Sequence, residues 1–260
     1  MGTQQSTLKF APAGMNVPTI RIVPLTAPVR WLGAGWRDFR RTLAVSLPYG
    51  IVFALLGYGL VQWAWARPHL AMALTSGFLF VGPVLATVFY ELSHRLEHHH
   101  QAPAFWTPLL VWRRNPASLG LFALMLVFVL SAWERISAIL VGLFLQGSGI
   151  ASVGDLIGPA ILAHPDFLAA YFAFGGLLAA MVFSLSVVSL PMLLHRKVDL
   201  ATAIVTSFLA TRANIVPLLV WAAIIAAAIA IGFATDFIAM AVIFPWLGHA
   251  SWHAYRDLVA

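Results

Sequence analysis

The chain has 260 residues, of which 61% are hydrophobic and only 9% charged, with a mean hydropathy of +0.90. A soluble domain carries about a quarter charged residues, so the composition excludes one and makes this an integral membrane protein. The net charge of +6 is spread among apolar runs, as membrane topology requires and a nucleic-acid partner does not, and the lack of cysteine excludes disulfides, Cys-ligated zinc and thiolate chemistry.

In chain order, residues 1–29 read as a flexible cytoplasmic tail, with no apolar core ahead of a cleavage site that would mark a signal peptide. From Arg30 to Arg41, RWLGAGWRDFRR alternates aromatic and basic residues at helical spacing, which predicts a helix lying among lipid headgroups. Residues 30–260 then read as a single transmembrane domain of six apolar runs, each near the ~20 residues that a bilayer core takes as a helix. They are Thr42–Ala66, His69–Tyr90, Ala117–Leu145, Phe167–Leu194, Ile215–Ala234 and Phe237–Trp252. The outer connections at Arg67-Pro68 and Gly232–Asp236 are tight, whereas Gly147–Asp166 is longer and carries only acidic charge. The inner connections, His94–Asn115 and Arg196–Asn214, have room for short helices, and Val198–Arg212 has an amphipathic pattern. The expected fold class is all-α: a polytopic membrane protein of six transmembrane helices in three hairpins, with interfacial amphipathic helices.

Charge sets the orientation. Lys9, Arg21, Arg30, Arg37, Arg40, Arg41, Arg95, Arg113, Arg114, Arg196, Lys197, Arg212 and Arg256 fall on one side, and only Arg67 on the other. The positive-inside rule then places both termini in the cytoplasm.

A weak internal repeat runs through the three hairpins. Each is preceded by a basic stretch (RDFRRTL, WRRNPASL, TRANIVPL), and each returning helix holds one proline: Pro83, Pro191 or Pro245. Such prolines kink a helix by freeing the carbonyl four residues earlier, here those of Leu79, Val187 and Ala241. Polar clusters follow, and three equivalent kinks would gather Glu91, His94, His195, Asp199, His249, His253, Arg256 and Asp257 in one cytoplasmic layer. His249 and His253, four apart, share a helix face, as do Glu91, His94 and His98, with His99 and His100 extending the run. The reading assigns no metal or other cofactor, because histidine and tryptophan at a helix end commonly sit as hydrogen-bonded interface residues. Were a metal or haem bound, His249, His253, His94 and His98 would be its candidate ligands. His249 and His253 are expected to face the ends of the second and fourth membrane helices.

Glu134 and Arg135 stand inside an apolar run, VLSAWERISAIL, where an ionised side chain costs about 2.5–3.5 kcal/mol even on a lenient scale. Arg135 is therefore expected to face the bundle, with Ser184, Ser186, Ser189 or freed carbonyls as partners; the competing reading is that it snorkels outward.

The stretches PLTAPVRWLGAGWRDFRR, FLFVGPVLATVFYELSHRLE, LSVVSLPMLL, TRAN and GHASWHAYRDLV together resemble the bacterial integral-membrane family called domain of unknown function 2189, over about Pro24 to Val259. The resemblance implies a six-helix protein of the bacterial inner membrane without established activity. Some family members are labelled as cytochrome c oxidase subunits. A haem-copper catalytic subunit needs twelve membrane helices and six histidines facing the bilayer interior, whereas this chain has six apolar runs and no histidine near the centre of one. His94 and the run His98–His100 also depart from the family pattern, in which basic or polar residues commonly stand at these places. The expected function is that of a non-catalytic accessory or assembly component, with the lipid bilayer and a respiratory complex as implied partners. Small-residue faces such as Ala138 with Gly142 and Gly175 with Ala179 suit helix packing. The alternatives are a small-solute or ion transporter and a cytoplasmic-face metal- or haem-binding protein. No acid, base and nucleophile signature points to an enzyme.

Overall fold

The computed structural model describes residues 7–8, 16–65, 67–99, 105–149, 155 and 159–260. Apart from a two-residue antiparallel ladder between β1 (Thr7–Leu8) and β2 (Ile20–Arg21), the regular structure is helical. The helices are α1 (Ala27–Arg41), α2 (Leu43–Trp63), α3 (Pro68–Leu85), α4 (Thr87–His99), α5 (Pro116–Phe144), α6 (Pro165–Ser186), α7 (Ser189–His195), α8 (Leu200–Ala213), α9 (Ile215–Ala234) and α10 (Met240–Leu258), with short 3-10 segments at Thr107–Arg114 and Pro159–Ala163.

Among the described residues, four helices are long and apolar enough to cross a membrane: Leu43–Trp63, Pro116–Phe144, Pro165–His195 and Ile215–Ala234. The other two expected spans fall on α3 and α10, which are not among the four. A break at Ala86 ends α3 three residues after Pro83, and the C-terminal half of α10 carries His249, His253, Arg256 and Asp257.

By its internal packing the chain divides into two compact units. The first comprises Met1–Ala54, Pro83–Phe122 and Phe183–Ala260, and α10 is its central element. Three glycine contacts let neighbouring backbones approach α10. A Cβ at Gly35 of α1 would stand 2.5 Å from the Ala250 nitrogen, and one at Gly248 would stand 2.6 Å from the Phe89 ring of α4. A Cβ at Gly50 of α2 would collide with the carbonyl of Ala241, the group that Pro245 leaves without its helical donor. The helix thus runs through Pro245 unbroken while α2 covers the freed carbonyl.

α1 is amphipathic as its spacing predicts. Pro28 opens it; Ala27, Trp31, Gly35, Asp38 and Phe39 are buried, and Arg30, Arg37, Arg40 and Arg41 are exposed. α8 opens on an N-cap: the Asp199 carboxylate accepts from the Thr202 amide at 2.9 Å and its hydroxyl at 2.6 Å.

The flexible tail expected over residues 1–29 needs correction. Ile20 is 0% exposed and bridges to Val259, the Val23 amide donates to Asn214 Oδ1 at 2.8 Å, and the Ala260 amide donates to the Thr19 carbonyl at 3.0 Å. An apolar TIRIV strand against the C-terminus satisfies backbone groups that a free tail would leave to water. Residues 1–6 and 9–15 lie outside the described residues.

The second unit comprises Leu55–Gly82 and Ala123–Val182. Ala64 is buried against Leu70 and Leu74, which closes the tight turn between α2 and α3. Leu140, Leu145, Ile161 and Phe167 form a second cluster. Trp133 of α5 is wedged between Phe80 and Tyr171 at ring distances of 6.1 and 5.1 Å, and Gly175 leaves room for it.

Candidate functional site

The polar residues of α10 project into the first unit, and His249 lies at its centre, 0% exposed. Its Nδ1 is 2.8 Å from Ser93 Oγ of α4, and its Nε2 is 2.9 Å from Ser46 Oγ of α2 and 3.3 Å from Thr42 Oγ1. Ser93 donates its one hydroxyl proton to Asp38 Oδ2 at 2.7 Å. Ser93 can therefore only accept from His249, so the imidazole carries its proton on Nδ1, and its bare Nε2 accepts from Ser46, whose one proton is shared with Thr42 Oγ1 at 2.8 Å. The result is a one-directional chain of hydrogen bonds, Ser46 to His249 to Ser93 to Asp38. His253 Nε2, one turn further along α10, reaches the same Asp38 oxygen at 2.8 Å. Burial alone would push the Asp38 carboxyl up, but the hydrogen bonds from His253 and Ser93 and the nearby imidazoles hold it below its ordinary value.

Asp38, Thr42, Ser46 and Ser93 were not singled out in the sequence. The first three recur every four residues across the junction of α1 and α2, so one polar stripe runs from the amphipathic helix into an apolar one, where Ser46 has no polar neighbour in sequence. That stripe was a usable signal. Thr42 also donates to the Asp38 carbonyl at 2.8 Å and so joins the two helices.

A second cluster forms on α4. Glu91, 1% exposed, accepts two 2.9 Å bonds from the Arg114 guanidinium and one from Arg95, while His94 Nδ1 stands 3.8 Å away. Burial lowers the His94 pKa, with Glu91 opposing. The His94 ring lies 4.6 Å from that of His98 and 5.3 Å from those of His195 and Trp252, and His195 Nδ1 is 2.8 Å from the Tyr255 hydroxyl. Glu97 accepts from Trp252 Nε1 at 2.9 Å and pairs with Arg256 at 3.3 Å.

The eight residues expected in one layer thus divide. His249 and His253 join Asp38; Glu91, His94, His195 and Arg256 join the α4 cluster; Asp257 accepts from Trp31 Nε1 at 2.8 Å and Arg30 at 3.3 Å. Asp199 belongs to none of these and serves as the exposed N-cap of α8. Among the described residues, no group of three His, Asp or Glu is placed to hold a metal ion. Both nitrogens of His249 are engaged with hydroxyls, and His98 Nδ1 is 2.8 Å from the His94 carbonyl oxygen. The side chain of His99 and all of His100 lie outside the described residues.

Two expectations are corrected. The prolines are not equivalent: the helix breaks after Pro83, breaks before Pro191 at Val187-Val188, and continues through Pro245. Arg135 does not turn inward; its side chain is 83% exposed and pairs with Glu134 at 3.4 Å. The inward stripe of α5 is Leu126, Trp133, Ser137 and Leu140, and a residue two positions from Trp133 points about 200° away from it.

These helices and buried side chains belong to an apolar, helical chain. It matches the DUF2189 family model over residues 71–195. That model is described as a predicted integral membrane protein, and no curated protein and no solved structure matches the chain. The DUF2189 segment holds Glu91, Ser93, His94, Glu134, Arg135 and His195, whereas Asp38, Ser46, His249 and His253 lie outside it.

Proposed function

We propose that this protein is a non-catalytic accessory or assembly component of a membrane complex in the bacterial inner membrane, with a respiratory oxidase as the partner that the family resemblance suggests. The observation that carries this reading is the closure of the His249 site. The chemically most capable group in the first unit is wholly buried, and both its nitrogens are spent on hydroxyls of other helices. Such a fully satisfied network fixes the register of α2, α4 and α10. It offers no free atom to a substrate.

The proposed topology is six spans in three hairpins with both termini inside. Exposed basic residues precede α2, α5 and α9, and the four residues between α2 and α3 leave only a tight reversal. On this reading α3 and α10 are the returning spans of the first and third hairpins.

The test is purification in mild detergent followed by identification of stoichiometric partners. A membrane complex that retains this chain through two affinity steps would support the proposal; a chain recovered alone under conditions that keep known complexes intact would overturn it. The directional chain from Ser46 to Asp38 favours a second reading, proton-linked transport, since such chains carry protons when their donors rotate. Dye-reported proton flux in proteoliposomes that is abolished by His249→Gln would favour it over the first.

A further inference from the structure

We infer that two copies of this chain pack against each other in the bilayer along the exposed face of α5, with each Arg135 reaching Glu134 of the other copy. The inference rests on α5 and does not depend on the accessory role.

Leu124, Phe128, Ser131, Arg135, Ile139 and Gly142 are all exposed, and at about 100° per residue they fall within one stripe. Phe128, Arg135 and Gly142 recur every seven residues, as do Leu124, Ser131 and Ala138, which is the spacing of a helix-pair seam. Gly142 has nothing within 4 Å of a would-be Cβ, so the seam is open where its residues are smallest.

Charge selects the occupant. Nine residues, about 13 Å of helix, separate Arg135 from the end of α5 at Phe144, so the guanidinium lies well below the helix end. Its 83% exposure would leave it facing lipid, an expensive position that a covering partner relieves. That partner must present a carboxylate at the same depth. A second copy of this chain does so by construction: two copies inserted with the same topology are related by an axis along the membrane normal, so every residue meets its own depth. Adjacent acidic and basic residues make the face self-complementary, and the two pairs close into a ring of four alternating charges. The helices run parallel, as the shared topology of the two copies requires.

The absence of cysteine makes the test direct. In membranes treated with a mild oxidant, Gly142→Cys on the seam should give a disulfide-linked dimer in high yield, and Leu143→Cys, about 100° off the seam, should give several-fold less. Glu134→Arg alone and Arg135→Glu alone should each abolish the cross-link from Gly142→Cys, because four like charges would then meet. Co-expression of those two variants should restore it, since one copy then presents two positive charges and the other two negative. Equal cross-linking at both cysteine positions, or no recovery in the mixed pair while both variants insert and remain folded, would overturn the inference. The cysteine pair alone decides the matter should either charge variant fail to fold.

Discussion

His249 Nδ1 and Ser93 Oγ meet at 2.8 Å although 156 residues separate them in the chain, and through this contact the last helix is tied to α4 and on to Asp38 of α1. The geometry leaves Ser93 no choice of partner, and it sets the tautomer of the imidazole. The network also predicts its own fragility. His249→Ala would take away the donor that Ser93 accepts from, leave Ser46 with Thr42 Oγ1 at 2.8 Å as its partner, and open a cavity, and a buried group orphaned in this way costs about 1–3 kcal/mol. Thermal unfolding in detergent should show a loss of about 3–5 kcal/mol for His249→Ala. Asp257→Ala, which removes an exposed ion pair with Arg30, should cost less than about 1 kcal/mol beyond the loss of the Trp31 bond. Equal melting of the two variants would count against a structural role for the network.

Gly50 should tolerate no side chain. A Cβ there runs into the Ala241 carbonyl and into Pro245, both on the rigid part of α10. Gly50→Ala should destabilise the protein by about 1–3 kcal/mol, the usual cost of overpacking. Gly59→Ala, with open space around it, should melt within about 0.5 kcal/mol of the unaltered protein. A Gly50→Ala variant with unchanged melting would mean that α2 and α10 do not approach so closely.

Acid should weaken the fold in two stages. His94 is held below the ordinary imidazole value of 6.5, chiefly by burial. A group kept neutral in the fold but free to protonate when unfolded contributes stability above 6.5, and that stability drains as the pH falls below it. Asp38, depressed below its ordinary 3.8 by His253 and Ser93 against the upward push of burial, contributes stability that is lost only on falling through that lower value. Melting temperatures recorded from about pH 8 to about pH 3 should therefore begin to decline below 6.5 and steepen below 3.8. His94→Gln should reduce the first stage rather than remove it, because the half-buried His195 ring 5.3 Å away remains, and it should spare the second. A first stage of undiminished size in that variant would leave His94 without a part in it.

Reporter fusions address the topology. A cytoplasmic reporter joined after Ala260 or within the segment following Arg196 should be active, and one in the turn at Thr235-Asp236 should be active only as an exported reporter. An exported signal at Ala260 would overturn the arrangement of three hairpins.

Much of this protein is legible from composition and period alone. α1 shows itself in the alternation of Trp31, Gly35 and Phe39 with Arg30, Arg37 and Arg40, and α2, α5 and α9 in their apolar length, because both are local properties of a helix against water or lipid. The outward position of Arg135 is legible too, from its angle to Trp133 and Ser137, whereas the cost of a lipid-facing charge favours the opposite side of the helix. Only the tertiary structure decides which polar groups meet. Asp38, Ser46, Ser93 and His249 come from four helices, and their partners follow from how closely those helices pack at Gly35, Gly50 and Gly248. Hydrogen bonds need donor and acceptor within about 3 Å, and no spacing along a single helix determines the separation between two of them. The same limit explains the prolines: Pro83, Pro191 and Pro245 read alike in sequence, and the fate of each freed carbonyl depends on the neighbour that covers it.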